Sequence, residues 1–204
     1  MFPKALNETT RKNLALLGKS GLAKDFYLAG GSSLALNLGH RISEDLDFFS
    51  NKNFDLFQIV NSLSSLGTLT VDVQTTKTFL GNFNGTKLSF FYYELPLLKP
   101  TDDFLGISIA NPVDVGCMKL DAISGRGLKK DFVDLYFITQ EVIPLDGLLE
   151  MFREKVAKKN YNFIHLAKSL TYFDDAQDKV TMLKDYDWEK IKRFFLKKSQ
   201  TVFS

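Results

Sequence analysis

The sequence has few of the residues on which disulfides and zinc sites depend. It contains one cysteine, Cys117, and two histidines among 204 residues. An intrachain disulfide is therefore excluded, and two histidines far apart do not make a zinc site. No apolar run is long enough to span a bilayer and no basic leader precedes an apolar segment, which predicts a cytoplasmic protein without a membrane partner. The formal net charge is only +2, so any contact with nucleic acid must come from a local patch.

Apolar and aromatic residues, by contrast, are plentiful. Hydrophobic residues make up 45% of the chain, and 19 of them are phenylalanine. A chain of this length and composition can bury a proper core as one domain, or as one domain with a helical extension. The phenylalanines indicate an aromatic core, and Cys117 is predicted to be a small residue within it.

One stretch, residues 28–50 (LAGGSSLALNLGHRISEDLDFFS), reads as a strand, a glycine turn, a short helix and a second strand. Gly30 and Gly31 permit backbone angles and close approaches that side chains forbid. Ser32 and Ser33 are predicted to cap the helix that follows. A glycine turn that leads into a helix leaves free N–H groups at the positive end of the helix dipole, which favours phosphate.

The same stretch ends on two carboxylates. On a strand, Asp45 and Asp47 project from one face, about 6.6 Å apart along the chain, and Leu46 from the other. Paired carboxylates are suitable ligands for Mg²⁺, which also takes phosphate oxygens and water. On its own a DxD pattern more often marks solvated residues at the end of a strand. Next to a glycine-serine turn, it favours a metal site.

Arg41 and the two histidines are interpreted separately. Arg41 either pairs with Glu44 or neutralises phosphate beside the carboxylates. His40 is a capping or core histidine, and His165 is predicted to be a packing histidine in an apolar helix.

A second group of charges lies later in the chain. Lys119, Arg126 and Lys130 fall close to one face if their helix is continuous, and these three cations could hold a triphosphate. Asp131 adjoins them, and Asp134 lies within an apolar stretch, where it needs a cationic partner because an unpaired buried charge is costly. The alternative is a structural ion-pair network beside a solvated basic turn.

The order of predicted elements favours an α/β (α+β) fold with a mixed sheet, flanking helices and a helical C-terminal region. We expect an α/β core at residues 1–110 and a helical region at residues 111–204, packed together around a cleft. The predicted helices span residues 6–18, 54–66, 114–125, 129–141, 144–158, 163–171 and 188–198, and further strands span residues 26–29, 68–76, 77–83, 87–95 and 106–110.

The motif GGSSLALNLGHRISEDLDFF at residues 30–49 resembles the signature of the minimal nucleotidyltransferase superfamily, a Gly-Gly/Ser turn followed by Asp-x-Asp. More narrowly, it is similar to the AbiE-type (AbiEii/AbiGii toxin-like) nucleotidyltransferases of abortive-infection and toxin–antitoxin systems. The block KLDAISGRGLKKDFVDLY at residues 119–136 is similar to the second conserved block of that family. The resemblance covers nearly the whole chain.

The resemblance implies transfer of a nucleoside monophosphate from an NTP to an acceptor hydroxyl. It implies Mg²⁺ or Mn²⁺ on Asp45 and Asp47. In related toxins the acceptor is often the 3′ end of tRNA, and a cognate antitoxin is the expected protein partner. The resemblance also implies that Asp134 orients the cationic side chains or assists the acceptor. The residues implied in phosphate binding are Gly30, Gly31, Ser32, Arg41, Lys119, Arg126 and Lys130.

One departure from the superfamily pattern keeps a second hypothesis open. Its members usually carry a third carboxylate on a later strand, but the matching strand here offers Ser89, Phe91 and Tyr93 on one face and no acid before Glu94. Asp72 is the other candidate, on an earlier strand. The chain is then an enzyme that uses one metal ion, an enzyme in which Asp131 or Asp134 replaces this acid, or a nucleotide-binding module without turnover.

Overall fold

The computed structural model describes residues 1–202 and divides the chain into two compact units. The first comprises Met1–Asn111, and the second begins at Pro112. The first unit contains all the strands of the described chain and the second contains helices. The α/β class predicted from the element order is therefore confirmed.

The first unit is built on one mixed sheet. Its strands are β1 (Tyr27–Ala29), β2 (Leu46–Ser50), β3 (Leu69–Gln74), β4 (Thr78–Phe83), β5 (Thr86–Tyr92), β6 (Asp102–Phe104) and β7 (Ile107–Ile109). Their order across the sheet is β3-β4-β5-β2-β1-β7-β6. Strand β2 is antiparallel to β1 and parallel to β5, so the strand that carries the carboxylate motif lies at the centre of the sheet.

The two faces of β2 have different surroundings. Leu46, Phe48 and Ser50 are buried, whereas Asp47 and Phe49, on the opposite face, are partly exposed. Phe48 stacks on Phe90 with ring centroids 5.1 Å apart, within the apolar core of this unit. One face of the sheet is therefore closed by packing, and the other presents Asp47.

The helices of the first unit are a 3₁₀ turn at Pro3–Ala5, α1 (Glu8–Ser20), α2 (Gly30–Leu38) and α3 (Leu56–Leu66). The predicted end of α1 at Gly18 is wrong, because the helix continues to the left-handed Gly21. Gly18 serves a close approach instead, since a Cβ there would lie within 3.1 Å of the carbonyl carbon of Leu105. Phe57 of α3 is 68% exposed.

Asn84-Gly85, a hairpin turn signal between the predicted strands at residues 77–83 and 87–95, forms the turn, and the end of the second strand is corrected. Asn84 and Gly85 both have positive φ, 48° and 83°, as expected at a tight turn between β4 and β5. Strand β5 ends at Tyr92, earlier than predicted, and β6 was not predicted. Strand β3 is an exposed edge strand with a register shift between Val71 and Val73.

The second unit contains α4 (Pro112–Gly125), α5 (Lys129–Glu141), α6 (Leu145–Lys155), α7 (Phe163–Ser169) and α8 (Trp188–Val202). All five helices were predicted, and the bounds of α5 coincide with the prediction. Phe132 of α5 packs against Phe173, Trp188 and Phe195 with ring centroids 5.0–6.2 Å apart. Among residues 1–202, no helix combines the length and the apolar character that crossing a bilayer requires.

Candidate functional site

The glycine turn joins β1 directly to α2. Helix α2 begins at Gly30, whose φ of +63° is accessible to glycine at little cost. Ala29 occupies the N-cap position and provides no side-chain hydrogen bond. The predicted capping by Ser32 and Ser33 is wrong because both serines lie inside the first turn of the helix. Without a side-chain cap, the first amides of α2 suit an anion.

Arg41 is packed against this turn. It is 5% exposed, and its Nη1 donates to the carbonyl of Ile42 at 3.0 Å. A Cβ added at Gly31 would lie 2.3 Å from Arg41 Nη2, so the absence of a side chain there makes room for the guanidinium. Glu44, the alternative partner, is exposed. The geometry favours a role for Arg41 at the helix N-terminus.

The segment before β2 is held by hydrogen bonds that the sequence did not reveal. The Ser32 hydroxyl donates to the carbonyl of Asp45 and lies 3.0 Å from the Ser43 hydroxyl. Thr10 of α1 donates from its hydroxyl to the carbonyl of Glu44 at 2.8 Å. Ser32 therefore acts in this structure mainly by fixing the carboxylate segment. Nothing in the sequence around Thr10 indicates this hydrogen bond.

Asp47 lies at the centre of the site. It is half-buried in β2, opposite Ala29 of β1 and Ser89 of β5. Both neighbours have small side chains. A Cβ added at Gly30 would lie 3.2 Å from Asp47 Oδ2, so the carboxylate and the glycine turn are in direct proximity.

Asp45 has a different backbone setting from the one predicted. Strand β2 begins at Leu46, so Asp45 lies one residue before the strand, half-buried. Among residues 1–202 no three histidine, cysteine or acidic side chains form a metal-binding group. Two accessible carboxylates next to an anion-binding turn nevertheless fit Mg²⁺, which usually takes one or two protein carboxylates together with substrate phosphates and water.

The neighbouring position on β5 is Ser89, as the sequence predicted. Asp72 cannot replace a third acid there, because its strand β3 is separated from β2 by β4 and β5. At ~4.8 Å per strand, this places Asp72 about 14 Å away from the β2 line. Glu94 is exposed beyond the end of β5.

In the second unit, Lys119 lies between two buried carboxylates. Its Nζ is 2.8 Å from Asp131 Oδ1 and 2.6 Å from Asp134 Oδ2. Lys119 is 4% exposed and both aspartates are fully buried. The prediction that Asp134 needs a cationic partner is confirmed, and that partner is Lys119.

Asp131 also binds Arg126. The guanidinium Nε is 3.1 Å from Asp131 Oδ2 and Nη2 is 3.3 Å from Oδ1. Burial acts to raise the pKa of Asp131, but the charge of Lys119 and the hydrogen bond and charge of Arg126 outweigh it and lower that pKa. Asp131 therefore links the buried lysine to an arginine whose side chain is 57% exposed.

Lys129 and Lys130 follow Arg126 in the sequence but make different contacts. Lys129 Nζ lies 5.1 Å from the ring centroid of Trp188. The backbone amides of Lys129 and Lys130 donate to the Asp178 carboxylate, which caps α5 from a distant segment. The structure therefore brings Lys119 and Arg126 together on Asp131 but does not bring the Lys130 side chain to them.

The two histidines differ in their exposure to solvent. His40 is fully buried, which agrees with the core interpretation. His165 is exposed, and its Nε2 lies 2.9 Å from the carbonyl of Ser124. Its predicted packing role is wrong.

Asp131→Asn is expected to reduce the unfolding free energy and to change its dependence on pH. The folded pKa lies below the unfolded one, so the ionised carboxylate stabilises the protein at neutral pH and loses this contribution as the pH falls through the folded pKa. The variant should therefore lose less stability on acidification below about pH 4 than the wild type does. Urea titrations at several pH values measure this, and parallel acid profiles for the two proteins would contradict it.

If the first turn of α2 and Arg41 bind the phosphates of an NTP, Gly31→Ala should weaken that binding by about tenfold while the fold is retained, because the methyl group displaces the Arg41 guanidinium. Titration calorimetry with each NTP and Mg²⁺ measures the affinity. Gly125→Ala is the matched control, since a Cβ at Gly125 meets nothing within 4 Å. Equal affinities in the two variants would contradict the role of the turn.

Comparisons with known proteins agree with this geometry. Residues 14–102 match the family model described as nucleotidyl transferase AbiEii toxin, type IV TA system. An uncharacterised protein of Aquifex aeolicus (strain VF5) is 38% identical over 200 residues, 95% of each chain.

Two solved structures share the fold. A protein from H. pylori, provisionally assigned as a nucleotidyltransferase, superposes with a TM-score of 0.58 at 17% identity over 95% of this chain and 92% of its own. The nucleotidyltransferase toxin MenT4 from Mycobacterium tuberculosis H37Rv has a TM-score of 0.57 at 14% identity over 96% of this chain and 89% of its own. The predicted nucleotidyltransferase-like fold is confirmed.

Proposed function

The chain belongs to the AbiEii nucleotidyltransferase toxin family, and from this membership we propose that it transfers a nucleoside monophosphate from an NTP to an acceptor hydroxyl. The observation that carries the proposal is the proximity of the Asp47 carboxylate to Gly30, at the start of α2. The proposed metal ligand Asp47 and the proposed anion-binding turn at Gly30 therefore lie next to each other in the first unit.

The residues of this unit have distinct roles in the proposal. The first amides of α2, at Gly30 and Gly31, and the guanidinium of Arg41 bind the β- and γ-phosphates. Asp45 and Asp47 hold Mg²⁺ or Mn²⁺, which when bound neutralises charge on the transferred phosphoryl group. Ser32 fixes the Asp45 segment through its carbonyl and so orients the carboxylates.

The charged residues of the second unit have a proposed role of their own. We infer that Lys119, Arg126 and Lys130 supply positive charge to a phosphate group of the substrate or of RNA. Asp134 orients Lys119, which it contacts at 2.6 Å. Because Lys119 is buried between two carboxylates, its contribution requires that one of these contacts be exchanged for a phosphate, whereas the exposed Arg126 can reach a ligand directly.

RNA is the proposed acceptor, with the 3′ end of tRNA as the first candidate, and growth arrest as the toxin of a toxin–antitoxin pair is the proposed role. Family membership supports the toxin role and a cognate antitoxin as partner. The exposed lysines and arginines of the second unit are compatible with RNA phosphates.

Incubation of the purified protein with total cellular RNA, cell lysate and each α-³²P NTP tests the acceptor. Label on a discrete RNA band is the expected result. Label on a protein band would move the acceptor class to protein. Absence of label from every acceptor would contradict the proposal.

The second candidate function is a nucleotide-binding module without turnover. Ser89 favours it, because this residue lies beside Asp47 where the superfamily usually has its third acid. The module predicts Mg²⁺-dependent NTP binding that Asp47→Asn abolishes, with no pyrophosphate released in the presence of RNA or protein.

A further inference from the structure

Aromatic side chains lie on the same face of the sheet as Asp47. Tyr27 of β1, Phe49 of β2 and Phe91 of β5 are directly opposite one another across three neighbouring strands. The ring centroids of Tyr27 and Phe49 are 6.0 Å apart, and those of Phe49 and Phe91 are 5.1 Å apart, in stacked orientations. We call these three residues the aromatic row. Tyr93 packs edge-on against Phe49 at 5.9 Å.

The aromatic row has a fixed position relative to the proposed metal ligands. Phe49 follows Asp47 by two residues on β2, about 6.6 Å farther along the strand and on the same face. The next line of side chains across the sheet is small or polar and consists of Ala29, Asp47 and Ser89. The two lines therefore form adjacent strips on one face, one with small or polar side chains around a carboxylate and one with aromatic rings.

The glycine turn lies on the other side of Asp47. Gly30 follows Ala29 at the end of β1, whereas Tyr27 is at the beginning of that strand. Along this face the site presents an anion-binding turn, then a carboxylate, then aromatic rings. An NTP has the same order of chemistry, with the β- and γ-phosphates at one end, the α-phosphate between and the base at the other.

We infer that the aromatic row binds the nucleobase of the incoming NTP by stacking, an inference that rests on the nucleotidyl transfer proposed above. Phe49 and Phe91 are half-buried and Tyr27 is 8% exposed, so the rings are held by their neighbours yet in part accessible. Stacking on an aromatic ring tolerates every base. The row therefore provides affinity for all four NTPs with little selection among them.

Phe91→Leu and Phe49→Leu test the inference, because leucine keeps the residue apolar but removes the aromatic ring. With Mg²⁺, calorimetry should show binding of ATP, CTP, GTP and UTP weakened about tenfold in each variant, and binding of inorganic tripolyphosphate unchanged. Phe91→Tyr should restore NTP affinity. Tyr92→Leu is the matched control, since Tyr92 is the next residue on β5 and faces the opposite side of the sheet.

Unchanged NTP affinity in both leucine variants would overturn the inference. Unchanged NTP affinity with a raised KM for an RNA acceptor would also overturn it, because the row would then stack acceptor bases. Failure of the proposed function has a separate signature, which is that no label from an α-³²P NTP enters any acceptor, whatever the binding measurements show.

Discussion

Asp47→Asn is expected to lower nucleotidyl transfer by at least about a thousandfold, the equivalent of ~4 kcal/mol of transition-state stabilisation. The substitution keeps the size of the side chain but removes the negative charge that a divalent cation requires. Asp47 lies beside the glycine turn. Its partners on the two neighbouring strands are Ala29 and Ser89, and neither carries a carboxylate that could replace it as a metal ligand. Initial rates of label transfer from an α-³²P NTP measure the effect.

The fold should be unaffected by Asp47→Asn, since Asp47 is half-buried on the partly exposed face of the sheet. Asp72→Asn provides a matched control on an exposed edge strand of the same sheet and should transfer at the wild-type rate. Similar rates for all three proteins would show that the carboxylate site is misassigned.

Lys155→Met is expected to reduce the free energy of unfolding by about 3–5 kcal/mol. Lys155 Nζ lies 2.6 Å from Asp114 Oδ1, and both side chains are fully buried. Methionine fills a similar volume but leaves the Asp114 carboxylate without this cation. Burial also raises the pKa of nearby Cys117 to about 12, which shows how poorly this part of the second unit solvates a negative charge. Urea unfolding followed by circular dichroism measures the loss.

Two controls distinguish a pair effect from the loss of any lysine. Replacement of both partners, in Lys155→Met with Asp114→Leu, should recover most of the lost stability because the buried carboxylate is removed together with the lysine. Lys12→Met breaks an ion pair with Glu8 in which both side chains are largely exposed, and it should leave the unfolding curve unchanged. A double variant as unstable as Lys155→Met would contradict the account.

Local patterns predicted those elements whose formation depends mainly on neighbouring residues. The predicted bounds of α5 are those of the structure, and Asn84-Gly85 forms the expected turn because its residues accept positive φ. The Gly30-Gly31 turn and the absence of an acid at Ser89 could likewise be predicted from the sequence, whereas Asp45 was predicted on the strand and lies one residue before it. The family resemblance rested on residues 30–49 and 119–136, and the family model, which matches residues 14–102, confirms it through the first of these two blocks.

What the sequence did not predict depends on contacts between distant residues. Thr10 reaches the carbonyl of Glu44 across 34 positions of the chain, and Asp178 caps α5 across 49. Ser32 has a strong preference for helix caps, but Gly30 allows α2 to begin earlier, so the hydroxyl binds the Asp45 carbonyl instead. Gly18 looked like a helix end because its close approach to Leu105 cannot be seen locally.

A paired labelling experiment tests the central claim most directly. The protein is incubated with its acceptor, Mg²⁺ and one NTP that carries ³²P at either the α- or the γ-phosphate, with EDTA and Asp47→Asn as controls. Nucleotidyl transfer predicts that label enters the acceptor from the α-position only, with release of pyrophosphate, and that both controls abolish it. Label from the γ-position, or α-label that survives Asp47→Asn, would contradict the account.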